Sequence, residues 1–458
     1  MNLKPLLLFC LAGLVASTLT PSASAQTRTL RIVAQNLGAD INGITMPQPG
    51  LIAPPNDTNN YAAGGELEGM GEEIVTNDPA QAIDILALEE TTSNPTTVAP
   101  IANGLNTFYG LPGMYSNSSY QATESGGDVA DGNGPNAIVF NTRTVRLLAS
   151  VPVDPPGGTG NLGKASGEYR EVVRYEFAPA GVATNATNVF FIYVSHYKSS
   201  SSGTLSTNQF YRNEEAQIIR NNSATLPANA RILLVGDFNT GDASEPMYST
   251  LIGSGINQAI DPLNPAGNTS LDWDINSTSV LPAKSFSPTA IHYRDDYEMM
   301  TTNVYYGIDG GLKFVPGSYH VFGNNGSIGY LGNVNSGANT ALNNRLATNG
   351  PVFIPAAQIY TDLASASDHL PVTADYTIPM PVPQITSCSL SGNDLMLSFT
   401  NGITNAVYSL LMQTNLATPL INWTSLVNYT ATSGAFSFTA TNAVDATTPQ
   451  RFYRLKGK

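Results

Sequence analysis

Charge is scarce in this sequence, and positive charge scarcest. Charged residues make up 12%, about half the usual share of roughly 25%. Asn, Thr and Ser occupy much of the surface instead, a composition that suits an extracellular β-rich protein. Twenty Lys and Arg face 34 Asp and Glu, for a net charge of −14. Such a surface repels polyanions at long range and attracts divalent cations. It argues against a broad basic nucleic-acid groove and leaves room for a local phosphate site. Cysteine is nearly absent. There are two, and Cys10 lies in a segment read below as cleaved, so Cys388 has no intrachain partner. Stability must come from the core or a bound metal. No apolar run is long enough to span a bilayer. Hydrophobic residues make up 42% of 458, enough for a large core and comfortable for two domains.

Residues 1–25 read as a signal peptide. Lys4 supplies the positive start, residues 6–15 the apolar stretch, and Ala23-Ser24-Ala25 a small-residue cleavage site before Gln26. Phe9 stands before Cys10 where a lipoprotein signal needs a small residue. The expectation is a free protein, secreted to the exterior or the periplasm.

Residues 26–377 read as one large domain in which short β-branched runs alternate with Gly/Asn/Pro loops. Strands are predicted at 30–36, 83–88, 189–196 and 231–237; 83–88 is nearly all apolar, as a strand covered on both faces should be, and the last two read as buried. Residues 136–150 read as two strands around a tight turn at Asn141-Thr142-Arg143. Leu67, Met70 and Ile74 have helical spacing, and 208–220, with Phe210, Ala216 and Ile219, reads as an amphipathic helix. The mixture predicts an α+β fold, two sheets with helices outside. Loops are expected at 40–65, 110–135 and 320–350. Alternating prolines at 378–383 read as a stiff linker. Residues 384–458 then carry short alternating strands at 394–399, 406–411, 435–439 and 451–455, a small all-β domain. Trp423 is expected in its core.

Polar residues gather where the buried strands end, a common place for sites because the scaffold is rigid and the loops are free. Asn36 ends the first strand; alone, such an Asn is ordinarily a turn former. Glu89-Glu90 ends the second, and alternation sends one of the pair each way. Either can be a hard ligand for Mg²⁺ or Ca²⁺ or a solvated strand end. His196 ends another strand and can donate a proton to a phosphate oxygen. In Gly236-Asp-Phe-Asn239 the i, i+2 spacing on an extended backbone aims Asp237 and Asn239 the same way; the plain alternative is an Asx turn. Ser367-Asp-His369 puts a carboxylate beside an imidazole.

Taken in order, these motifs resemble the endonuclease/exonuclease/phosphatase superfamily over residues 30–376. Asn136-Ala-Ile-Val-Phe resembles its central strand, and Tyr293-Arg-Asp-Asp-Tyr297 its Arg-x-Asp-Tyr strand. The resemblance implies a two-layer β-sandwich flanked by helices. It implies Mg²⁺ as cofactor, with Mn²⁺ or Ca²⁺ as alternatives, held by Glu90, Asn36 and Asp368. It implies that Asp237 activates the attacking water, that Asn239 holds it, and that His196 and His369 brace phosphoryl oxygens or transfer protons. Asp296 would hold the His369 ring, and Arg170 and Asn136 would face the substrate phosphate. Two positions depart from the family: Glu89 stands where glutamine is usual, and Gly38 where some members have Asp, with Asp40 out of register. The acidic loop 124–128 has no family counterpart and reads as a solvated loop or a Ca²⁺ site. His292 is expected to line the cleft; His320 has no motif around it.

The reading that follows is a secreted, metal-dependent phosphodiester hydrolase, first a nuclease acting on nucleic acid. Within the fold the alternative is a phosphatase or a sphingomyelinase-like phospholipase. From another class, a non-catalytic surface-binding protein is the alternative, motivated by the C-terminal β-domain. Oligomeric state is not readable.

Overall fold

The computed structural model describes residues 26–38, 65–72, 81–92, 94–119, 135–153, 172–200, 203–343, 354–443 and 451–457. The predicted signal peptide, Asp40, Ile74, the 124–128 loop and Arg170 lie outside the described residues.

In chain order the first elements are β1 (Gln26–Asn36), α1 (Glu66–Glu72), β2 (Ile85–Glu89), α2 (Ala99–Phe108), β3 (Tyr115–Asn117), β4 (Ala137–Asn141) and β5 (Val145–Val153). Next come β6 (Val172–Pro179), β7 (Phe190–His196), α3 (Leu205–Ser223), β8 (Ile232–Asp237), α4 (Pro246–Ile252) and β9 (Ala259–Ile260). The body closes with β10 (Asp296–Thr301), α5 (Thr302–Tyr306), β11 (Lys313–Phe314), β12 (His320–Val321), α6 (Ala356–Leu363) and β13 (Val372–Met380). One sheet runs β11-β13-β1-β2-β4-β3, with β12 also on β13, and the other β5-β6-β7-β8-β10-β9. The β1–β2 and β7–β8 pairs are parallel, and the other pairs in these sheets are antiparallel.

Strand alternation assigns each face. On β7, Phe190, Ile192 and Val194 join the core shared with the first sheet, while Phe191 and Tyr193 join a second core against α3 and α4. On β8, Leu233 and Val235 point to the shared core and Ile232 and Leu234 to the second. A strand sandwiched between two apolar layers has no polar face, which is why these runs are apolar throughout. Burying one such Leu or Ile side chain contributes about 1.5–3 kcal/mol.

Several expectations are corrected. The two strands expected around the Asn141-Thr142-Arg143 turn form, but β4 joins the first sheet and β5 the second. On α3 the buried face carries Arg212, Glu215, Ala216 and Ile219, whereas Phe210 is 54% exposed. Arg212 is accommodated there by a bidentate pair with Glu245, at 2.6 and 3.1 Å. The expected linker begins later, since β13 extends to Met380 and pairs Ile378, Pro379 and Met380 with Arg28, Thr27 and Gln26. β11 pairs with β13 only at Tyr376 and Thr377. Beyond it that side of β13 is an edge, where a residue lacking an N–H fits.

The C-terminal region holds β14 (Gln384–Ser391), β15 (Asp394–Thr400), β16 (Val407–Gln413), β17 (Thr424–Thr430), β18 (Phe436–Ala440) and β19 (Phe452–Gly457). They form two three-stranded sheets, β14-β15-β18 and β17-β16-β19, closed over Leu397, Phe399, Tyr408, Leu410, Phe436 and Phe438. The sequence signal missed β14 and β17 because both are mostly exposed and lack a repeating apolar face. Trp423 is not in this core; it is half-buried and donates Nε1–H to Thr418 O at 2.9 Å.

Beside Arg31 in the middle of β1, buried Asp84 accepts hydrogen bonds from Arg31 N (2.8 Å) and Gln81 Nε2 (2.6 Å). Burial nevertheless pushes its carboxyl up to about 6. A folded-state value above the unfolded value of about 3.9 means that the stability tied to this group is complete below that pH. It is lost as pH rises through the folded value. Asp84→Asn is therefore expected to flatten the decline in stability over that interval, read as urea midpoints across the pH series. A variant profile that overlays the wild type would contradict this.

Candidate active site

The same alternation that fills the shared core sets polar groups at its rim. Phe190, Ile192 and Val194 lead in steps of two to His196, and Leu233 and Val235 lead to Asp237. On β10, Asp296 shares its face with Glu298 and Met300. From the first sheet come Asn36 and, beside it in parallel register, Glu89. Gly236 lets the rim close: its φ is +126°, and a Cβ there would lie 2.1 Å from Ser195 O and 2.7 Å from Glu89 Oε1.

Asp237 is the centre of the arrangement. Its Oδ2 accepts from Asn36 Nδ2 at 3.0 Å and lies 3.3 Å from His196 Nε2 and 3.8 Å from His369 Nε2. Its Oδ1 accepts from Asn239 N at 2.8 Å. The Asx turn and the site thus use different oxygens of one carboxylate. Glu90 Oε1 lies 3.1 Å from Asn36 Nδ2 and 3.4 Å from His196 Nε2. Alternation would send Glu89 and Glu90 to opposite faces, but both reach the site. The reason is that the chain leaves the extended conformation at Glu90, whose φ is +53°.

His369 is held through its other nitrogen. Its Nδ1 meets Asp296 Oδ2 at 2.8 Å, and that oxygen also accepts from Ser285 Oγ at 2.5 Å. Ser367 Oγ donates to Asn36 O, and Gln35 Nε2 to His369 O, which fastens the Ser-Asp-His segment to the end of β1. Burial alone would lower the pKa of His369. Asp296 and Asp237, with the Asp296 hydrogen bond, outweigh it and hold the ring well above its ordinary value. The ring is thereby kept as a proton donor with Nε2 turned to the site.

Two groups of metal-type ligands result, Glu90-His196-Asp237 and Asp237-Asp296-His369, each with ligand atoms within 4.8 Å of one another. Glu89 and Asp295 add two more carboxyl groups. Burial, then Asp296 and Asp237, push the Glu89 carboxyl well above the usual range, and burial followed by Asp237 does the same to Asp295. Carboxylate oxygens crowded in a dry place, with an imidazole beside them, fit a hard divalent cation.

The other expected residues are placed as follows. Asn36 turns its amide nitrogen to the carboxylates, while its oxygen accepts from Gly38 N at 2.9 Å. Through that nitrogen it orients Glu90 and Asp237. Asn239 does not share the direction of Asp237, because its φ is +50° and its Nδ2 donates to Tyr197 O at 3.0 Å. Asn136 gives Nδ2–H to Val194 O across to the second sheet at 3.2 Å. Asp368 is exposed and belongs to neither ligand group. His292 packs between Phe286 and Tyr293, and Phe286 in turn touches the His369 ring. His320 lies on β12, with its ring nitrogen 2.8 Å from Ser318 O. Ser285 was not found from sequence, and no motif marks it. Asp295 was passed over inside the Arg-Asp-Asp-Tyr run.

Asp296→Asn is expected to lower the ionisation midpoint of His369, since the burial term then faces less opposing charge. Imidazole chemical shifts across a pH titration measure it, and an unmoved midpoint would contradict the pairing. Gly236→Ala is expected to lower stability by roughly 2–4 kcal/mol, from strain at positive φ and the contact with Ser195 O. Urea denaturation reads that loss, and a neutral substitution would mean that the rim relaxes freely.

No family model matches the sequence, and no curated protein matches it. Among solved structures, the human Nocturnin catalytic domain is 15% identical, over 79% of this chain and 99% of that one, with a TM-score of 0.41. An endonuclease/exonuclease/phosphatase from Bacteroides vulgatus is 13% identical over 77% and 99%, with a TM-score of 0.42. Another from Beutenbergia cavernae is 14% identical over 94% and 95%, with a TM-score of 0.41. The two-sheet body rests on its own strand pairing, and the chain is similar to proteins of the endonuclease/exonuclease/phosphatase family.

Proposed function

We propose that this chain is a secreted, divalent-cation-dependent phosphodiester hydrolase, and first a nuclease. The observation that carries the reading is Asp237 Oδ2 facing two imidazoles and an amide from three other chain segments, beside Glu90. A phosphodiester resists attack because its charge repels nucleophiles. Donors placed around the developing charge lower that barrier.

In this reading Asp237 orients the attacking water and takes its proton. The water oxygen bonds to phosphorus as the ester oxygen departs, and the departing oxygen takes a proton from an imidazole. His369, held by Asp296 with Nε2 turned to the site, supplies that proton. His196, between Glu90 and Asp237, braces a phosphoryl oxygen. Glu90 and Asp237 would hold Mg²⁺, with Mn²⁺ or Ca²⁺ as alternatives, and the ion would supply positive charge at the phosphoryl oxygens. Secretion is proposed from residues 1–25. Among the described residues no helix is long and apolar enough to cross a membrane.

Purified protein incubated with plasmid DNA and with RNA in Mg²⁺ is expected to cleave one of them, and EDTA to abolish cleavage. His369→Ala and Asp237→Asn are each expected to lower the rate by about 10²-fold or more. Intact nucleic acid with every cation, together with hydrolysis of a choline or inositol phosphodiester, would move the activity to the phospholipase alternative. No hydrolysis of any phosphodiester would overturn the proposal.

A further inference from the structure

Glu89 is used by nothing described so far. Its side chain is fully buried, and neither carboxylate oxygen has a hydrogen-bond partner among the described residues. It shares its face of the first sheet with Asn36, its register partner. The charged groups around it are Asp296, Asp237, His369 and Glu90. Space for it depends on Gly236, since any Cβ there would meet Oε1 at 2.7 Å.

A buried polar group without a partner is costly, and a buried carboxylate more so. An amide of the same size would offer N–H groups to the surrounding carboxylates, as Asn36 does one strand away. A carboxylate adds one more negative charge to a site already crowded with them. The groups facing it are mainly acidic, so what it lacks is positive charge. We infer that Glu89 belongs to the cation site, as a positioning residue whose charge, from beside the ligands, tightens the binding of a divalent ion. Its oxygens stand outside both ligand groups, so it acts through its charge. The inference rests on the cation-dependent reading proposed above.

Isothermal titration of the whole protein with Mg²⁺ and Mn²⁺ tests it, with cation-induced shifts in melting temperature as a second readout. Glu89→Gln keeps size and removes charge, and is expected to weaken binding roughly 10- to 100-fold and to shrink the melting shift. Glu89→Asp keeps the charge and is expected to stay within a few-fold of wild type. The cation-free melting curve of each variant establishes that it folds. Wild-type affinity in Glu89→Gln would overturn the inference and leave the hydrolase reading intact. So would an equal loss in both variants, since charge would then not be the cause. Absence of cation binding in the wild type would overturn the cation-dependent reading itself, and this inference with it.

Discussion

Asp237 shares one oxygen among donors from separate parts of the chain, and the candidate site depends on that sharing. Asn36 arrives from the first sheet, His196 from the neighbouring strand of the second, and His369 from the segment before β13. Only two sheets packed face to face bring these ends together. The apolar alternation inside the sandwich and the polar rim above it are one pattern, continued past the point where the core runs out. A buried carboxylate without such donors would take a proton or pull in water. Here Asn36 and the two imidazoles line that oxygen.

Crowding has a cost that the surroundings offset. Burial, and after it the neighbouring carboxylates, raise the proton affinity of Glu89, Asp295 and Asp296. Ser285 and His369 offset part of this at Asp296, and Asn36 donates to Asp237 and Glu90. Elsewhere the body uses stronger pairings for its buried charges. Arg31 is bidentate with Asp375, and Arg294 with Asp261 while lying over the Tyr297 ring. Removing one partner from such a pair costs about 3–5 kcal/mol, so these pairs are rigid supports. Among the described residues no guanidinium meets Glu89, and that difference separates support from function.

Tight turns carry as much of the geometry as the strands do. Glu90 and Asn239 both have positive φ, and both follow a strand whose last residues are part of the site. At Glu90 the turn brings a second carboxylate to the face that alternation would deny it. At Asn239 it does the reverse, directing the side chain to Tyr197 O and away from the face that Asp237 shares with the two imidazoles.

The sequence by itself determined the two sheets, four of the six C-terminal strands, and the strand ends where polar residues gather. These depend on alternation with period two, which is local and survives without knowledge of the neighbours. It carried Leu233 and Val235 to Asp237, and Ile192 and Val194 to His196. What it could not determine was set by contacts between residues far apart in the chain. Ser285 beside Asp296, the turned amide of Asn36 and the assignment of β4 and β5 to different sheets have no local signature. Neither has the departure from extended backbone at Glu90. Each is decided by which groups meet across the sandwich, and only the packed sheets supply those partners.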